Sequence, residues 1–235
     1  PGGARSGTGG SGGSAGSGPA ASARLPSLSL VSEQPLSGPD GPFGLALDES
    51  MVWSLDVGSV PTELVRLSRA DGLIQAQAQL EGANPTALAV LANGDLGIGS
   101  DSGVLRVANS GSTVVDQGLA VYGLAAAGSS VWTSENEHLV RRDANLVVVA
   151  REAPTGGYRP GQIAVVGSWL FMRSSLTERG TLRVRDLSQP GLPLLGAVSL
   201  GTTDANMGIA SYGGRLFALT VRTFEPPRLL EFQVQ

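Results

Sequence analysis

The densest group of side chains able to do chemistry is Ser134-Glu135-Asn136-Glu137-His138, with two carboxylates, an amide and an imidazole inside five residues. Carboxylate and amide oxygens are the ligands Ca²⁺ takes, and a carboxylate beside an imidazole can do acid–base work. His138 is the single His of the 235-residue chain, which has no Cys. Zinc, thiol-nucleophile and iron–sulfur chemistry therefore lack their usual ligands. A Ser-His-Asp arrangement would have to run through that one imidazole. A second group, Tyr158-Arg159-Pro160, follows the flexible lead Thr155-Gly156-Gly157. A guanidinium placed there can recognise a carboxylate or sugar acid, or it can pair with Glu152 or Asp204 at the surface. The simplest account of the first group is a charged turn with an incidental His.

Composition narrows the classes of partner. All 16 basic residues are Arg, against 20 acidic residues, for a net charge of −4. Such a chain lacks the positive surface that nucleic acid requires. No run of about 18 apolar residues is present to span a membrane as a helix. Residues 1–24 hold 9 Gly, 5 Ser and 5 Ala. They have too little side chain to offset chain entropy, which predicts a disordered tether over 1–24 and a folded unit over 25–235. The tether carries no GxxxxGK[ST] pattern for nucleotide phosphates. It resembles the Gly/Ser runs that follow the lipidated Cys of bacterial lipoproteins. That resemblance implies an extracytoplasmic protein, whether periplasmic, an outer-membrane lipoprotein or secreted, with the tether as a lipid-anchored spacer. An interdomain linker is the other reading.

One pattern recurs five times along the folded unit. It reads Gly44-Leu45-Ala46, Ala87-Leu88-Ala89, Gly123-Leu124-Ala125, Gln162-Ile163-Ala164 and Gly208-Ile209-Ala210. A turn and a second apolar run follow each copy, the pattern of a tight β-hairpin. The central aliphatics lie 43, 36, 39 and 46 residues apart, the period of a β-propeller blade. Third runs begin at Leu64, Val104, Leu139, Leu182 and Leu229; fourth runs cover 73–80, 112–119, 146–153 and 193–200. The fifth unit ends without a fourth run, and Ser27–Leu36 has the character to supply it. The prediction is an all-β, five-bladed propeller closed by pairing of the N-terminal strand into the last blade, which removes two open edges. Trp53, Trp132, Phe171 and Phe217 share one column of the second strand, with Gly97 in the fifth place, and are predicted to pack between blades.

The segment TLRVRDLSQPGLPLLGAVSL, residues 181–200, together with GIASYGGRLFA, residues 208–218, resembles an LVIVD-type repeat of bacterial extracytoplasmic β-propellers. The hairpin Leu91-Ala92-Asn93-Gly94-Asp95-Leu96 is similar to those of the wider NHL and YncE-like propellers. The resemblance covers one blade well and implies a binding scaffold, with no catalytic motif attached. Gluconolactonase-like propellers hold a divalent cation in the channel with Glu, Asn and Asp. By that analogy Asp40, Asn84, Asp101 and Glu135 would be the ligands here, without the family's spacing and flanking motifs.

In propellers the loops entering the first strand and those between second and third strands converge on one face around the channel, where sites usually sit. Aligning the repeats puts Asp56, Ser100, Glu135, Ser174 and Thr220 at the ends of second strands. The entry loops bring Asp40, Asn84, Tyr122, Tyr158, Arg159, Asp204 and Asn206. From this ring Asp40, Asp56, Asn84, Tyr122, Glu135, Tyr158, Arg159 and Asn206 are the expected ligand-binding residues, differing from blade to blade as one asymmetric site would. The expected function is a non-enzymatic, exported or surface-anchored scaffold binding a protein partner or an envelope polysaccharide. No cofactor is expected, with Ca²⁺ held open. Two alternatives from other classes are a divalent-metal-dependent lactonase or hydrolase and a five-bladed lectin.

Overall fold

The computed structural model describes residues 24–38, 41–80, 84–108, 111–117, 119–154, 161–173 and 179–235. The tether reading of 1–24 thus falls almost wholly outside the described residues. Twenty strands form five four-stranded antiparallel sheets. After β1 (Leu28–Pro35), blade 1 comprises β2 (Pro42–Leu47), β3 (Met51–Asp56), β4 (Glu63–Ser68) and β5 (Ile74–Gln79). Blade 2 comprises β6 (Pro85–Val90), β7 (Leu96–Ser100), β8 (Gly103–Ala108) and β9 (Gly111–Gln117). Blade 3 comprises β10 (Val121–Ala127), β11 (Ser130–Glu135), β12 (His138–Arg142) and β13 (Val148–Pro154). Blade 4 comprises β14 (Ile163–Val166), β15 (Trp169–Arg173), β16 (Thr181–Asp186) and β17 (Leu194–Ser199). Blade 5 comprises β18 (Ala205–Tyr212), β19 (Arg215–Val221) and β20 (Arg228–Val234), completed by β1.

Each recurring small-aliphatic-Ala triplet lies on or at the start of an innermost strand, and those strands touch in a closed ring: β2 against β6, β6 against β10, β10 against β14, β14 against β18 and β18 against β2. Side chains alternate across a strand, so successive residues enter opposite seams. Leu45 packs toward blade 5 and Ala46 toward blade 2. Both faces of an inner strand are therefore buried, which is why these strands read as continuous apolar runs. Five apolar clusters fill the five seams. The aromatic column behaves as predicted. Trp53, Trp132, Phe171 and Phe217 each face the next blade. At Gly97, Leu124 of blade 3 comes so close that a Cβ would sit 2.8 Å from it.

The ring is tight enough at its neck to require glycine. A Cβ on Gly208 would lie 2.7 Å from the Gly44 carbonyl carbon, and one on Gly123 would collide with the Gly161 carbonyl oxygen. Closure follows the expected route. β1 runs antiparallel to β20 from the Leu28–Val234 pair to the Pro35–Arg228 pair. Ser27 and Gln235 exchange backbone hydrogen bonds of 2.9 and 3.1 Å beyond the strand ends, and Arg228 pairs with Glu33 across them. The chain ends thus zip one blade together, leaving no open edge between first and last repeats.

Candidate functional site

The entry ends of the inner strands and the exit ends of the second strands meet on one face, because each first–second hairpin is antiparallel. Pro42 pairs with Asp56, Pro85 with Ser100, Val121 with Glu135 and Asn206 with Thr220. In blade 4 the corresponding pair is Gln162 and Arg173, joined by the Arg173 N–H to the Gln162 carbonyl at 2.8 Å. Arg173 therefore closes the ring where the sequence alignment had Ser174, which lies outside the described residues.

Several ring residues stitch the blades together. The Gln162 side-chain amide donates to the Thr86 carbonyl across the channel, and the Thr86 hydroxyl donates to the Val121 carbonyl. The Arg173 guanidinium donates to the Asn206 carbonyl at 2.5 Å and sits 5.4 Å from the centre of the Phe43 ring. Blades 4, 5 and 1 are thereby tied through one cation and one aromatic face. The Asn206 side-chain oxygen accepts the Gly208 N–H at 3.1 Å. Its amide nitrogen, the Gln162 side-chain oxygen and the Thr220 hydroxyl are buried without a protein hydrogen-bond partner, so water is the ordinary group to satisfy them. Beneath this polar layer the channel is filled by Leu88, Leu124, Ile163 and the Ala residues of the inner strands, with a void of only about 30 Å³. That is the room of one water molecule.

Glu135 is placed differently from the solvated loop expected of it. It is the last residue of β11, only 1% exposed. Its Oε1 accepts from the Arg142 guanidinium at 2.6 Å and from the Thr133 hydroxyl at 2.6 Å, while the Arg151 guanidinium lies 3.7 Å from Oε2. Arg142 in turn donates to the Leu146 carbonyl at 2.7 Å. Oε1 is thus fully engaged while Oε2 is buried without a hydrogen-bond partner among the described residues, and burial removes the carboxylate from the accessible ring. The corresponding third-strand residues in blades 1 and 5 are Leu67 and Phe232. In blade 4 the same place is held by Arg185, opposite Leu170, which donates to the Leu192 carbonyl at 2.6 Å as Arg142 does to that of Leu146.

The other expected site residues are dispersed. Asp56 accepts the Gly58 N–H at 2.9 Å and the Ser59 hydroxyl at 3.2 Å, bracing its own loop. Asn84 is exposed and donates to Asp101 at 2.7 Å. Tyr122 lies within β10 at a bulge, half-buried rather than on a free loop. Asp40, Tyr158 and Arg159 fall outside the described residues. Glu152 and Asp204, considered as partners for Arg159, are engaged by Arg141 at 2.8 Å and Arg222 at 3.0 Å. Among the described residues no three His, Asp or Glu side chains gather as metal ligands, and Asn84 with Asp101 is separate from the Arg-bound Glu135.

Among the described residues of this face two apolar side chains stand fully exposed among polar ones. Val60, on the loop after β3, and Phe224, on the loop after β19, are fully exposed. These loops belong to adjacent blades. Phe224 is held at φ 67°, a conformation that bulky residues rarely adopt. Its loop is braced by Arg222, bound to Asp204 and Glu225, and by Arg228, bound to Glu225 and Glu33. Hydrogen bonds donated to Asp204 and Glu33 hold the Arg222 and Arg228 guanidiniums above their ordinary pKa. A cleft of about 830 Å³ runs beside Phe224, walled by Leu36, Pro42, Ile74, Val221 and Pro226. A second, of about 610 Å³, lies between Val60 and the Asn84–Asp101 pair. The sequence reading missed Phe224 and Val60, since neither sits in a motif.

No family model and no curated protein sequence matches the chain. Solved structures do resemble it. Glutaminyl cyclase of Myxococcus xanthus superimposes with a TM-score of 0.67 at 13% identity, over 89% of this chain and 97% of that one. A PQQ-bound aldose sugar dehydrogenase of Streptomyces coelicolor gives 0.56 at 15% identity, over 91% and 99%. A gluconolactonase of Xanthomonas campestris gives 0.55 at 18% identity, over 83% and 72%. At these identities the likeness establishes the propeller fold and leaves activity to be argued from the site.

Proposed function

We propose that the chain is a non-catalytic binding propeller, exported or surface-anchored, that takes a protein partner on its loop face. The observation that carries this reading is Phe224. A fully exposed aromatic in a left-handed backbone conformation, fixed by four Arg–carboxylate contacts, costs stability and has no packing return within the fold. Exposed aromatic anchors beside an apolar cleft and ringed by charged pairs have the make-up of interface hot spots. Val60, on a loop of the neighbouring blade, is a second fully exposed apolar side chain of the same face.

The charged groups of this face favour binding over turnover. Glu135 is paired with Arg142 and Asp204 with Arg222, while Asp56 accepts hydrogen bonds from its own loop. A general base needs a carboxylate within reach of a substrate proton, and these three are occupied. The extracytoplasmic placement rests on the Gly/Ser/Ala composition of residues 1–24 and on the likeness of residues 181–200 to LVIVD-type repeats.

The test uses Val60→Asp/Phe224→Asp against the unaltered chain as bait in an envelope extract of the source organism, followed by reconstitution with the captured polypeptide purified. Saturable binding of that polypeptide, lost in the double variant with the melting temperature unchanged, is expected. Equal binding by both baits, or turnover of a lactone that follows Glu135, would overturn the reading.

A further inference from the structure

Blade 4 carries a cleft away from the apolar tips. Leu182, Val184 and Val198 pack toward blade 5, so the residues alternating with them on β16 and β17 turn to the opposite side. There Thr181, Arg183, Leu194 and Ala197, with Arg179 before β16 and Thr203 at the approach to blade 5, line a cleft of about 780 Å³. That volume suits a small organic ligand. Its chemistry is distinct from that of the other two large clefts: two guanidiniums, two hydroxyls and a small apolar floor, with no carboxylate in the lining among the described residues.

We propose that this cleft is a binding site for an acidic sugar of uronate type. A guanidinium presents five N–H donors in a planar fork. Arg183 can therefore keep its contact within the fold and still offer donor edges to a carboxylate, while Arg179, exposed on the turn before β16, closes from the rim. Directly opposite Arg183 stands Ala197, whose small side chain leaves the space above the sheet open. Thr181 and Thr203 supply hydroxyls able to both donate to and accept from ring hydroxyls. Leu194 offers an apolar surface for the C–H face of a sugar ring. Arg179 and Thr203 stand on loops of the same face, yet the cleft shares no residue with those beside Phe224 and Val60.

Isothermal titration of the full chain with trigalacturonate, at low and at high salt, tests the assignment. Saturable one-site binding that weakens with salt is expected. Arg179→Gln/Arg183→Gln should weaken it at least tenfold. Ala197→Phe, at an exposed position where folding is not at stake, should do the same by filling the cleft with both charges retained. The methyl ester of the same trisaccharide should not bind. Absence of saturable binding by the unaltered chain, equal binding of the ester, or affinity unchanged in Ala197→Phe would overturn the proposal. Tri-glutamate binding as tightly as trigalacturonate would overturn the sugar assignment. Loss of binding to the loop-face partner would leave this result unaffected.

Discussion

Blades 3 and 5 connect their second and third strands on the same face and use the connection in opposite ways. In blade 3 two residues, Asn136 and Glu137, make the whole link between β11 and β12, with Asn136 at φ 50°. So short a turn keeps Glu135 in the strand and in register with His138. Its carboxylate then points into the blade, where Arg142 meets it at 2.6 Å. In blade 5 six residues, 222–227, separate β19 from β20. The extra length carries Phe224 clear of the core, and the ion pairs of Arg222 and Arg228 fix the base of the loop. Loop length, rather than density of charge, decides which residues of this face are available to a partner. Of the cluster packed most closely in sequence, Ser134 and Glu135 are internal while Asn136, Glu137 and His138 stay exposed on the short turn; a bland Thr-Phe-Glu-Pro-Pro stretch carries the fully exposed aromatic.

The sharpest way to break that contrast is Glu135→Ala. Removing one partner of a buried pair leaves Arg142 charged and uncompensated, which costs about 3–5 kcal/mol. For a domain of this size that is a fall of roughly 6–20 °C in melting temperature. Arg142→Met added to Glu135→Ala should recover part of the loss, because it removes the stranded cation while the smaller Ala still leaves a void. A melting temperature unmoved by Glu135→Ala would return Glu135 to the accessible ring.

Phe224→Gly should move stability the other way. Glycine adopts φ 67° without the steric cost that phenylalanine bears, and no buried contact is given up. A gain of about 0.5–1 kcal/mol is expected, reduced by the greater freedom of glycine in the unfolded chain. Differential scanning calorimetry settles the sign. A clear loss would mean that Phe224 packs on something in the folded state.

Arg222→Ala should lower the melting temperature by less than Glu135→Ala does, since Arg222 is half exposed and its Glu225 pair lies at the surface, although its partner Asp204 is buried. It should nonetheless raise amide exchange across 222–227, a readout that a loop indifferent to its braces would not show. The smallest effect belongs to Asp71, in the turn leading into β5. Its carboxylate accepts the Leu73 N–H at 3.1 Å, and that hydrogen bond lowers its pKa below 3.8. A depressed folded-state pKa contributes stability at pH above the unfolded value and loses it as pH falls through the folded one. Asp71→Asn should therefore melt slightly below the unaltered chain at pH 7, and together with it at a pH well under 3.8.

How much of the site could be read in advance varied with the kind of residue. Asp56, Glu135, Asn206 and Thr220 do lie on one face, because their positions follow from repeat alignment and strand alternation alone. Their availability could not be read that way. Arg173 reaches the carbonyl of a residue 33 positions away, and Gln162 reaches one 76 positions away, on blades that only ring closure makes neighbours. Val60 and Phe224 look like any apolar residue in a chain that is 41% hydrophobic. Exposure is a property of what fails to cover a residue, and sequence spacing carries no such information.

By itself the sequence determined the five blades, the strands in each, the aromatic column and the N-terminal closure. Hairpin pairing is local, and the alternation of small and aliphatic residues specifies a strand buried on both faces wherever it occurs. Tertiary structure alone decided which polar groups became internal ties and which clefts stayed open. A buried ion pair exists only when two strands align a cation with an anion away from water, as β11 and β12 do for Glu135 and Arg142. That alignment depends on register, turn length and the neighbouring blades together, so the same Glu would be a solvated rim residue had the link after it been six residues long instead of two.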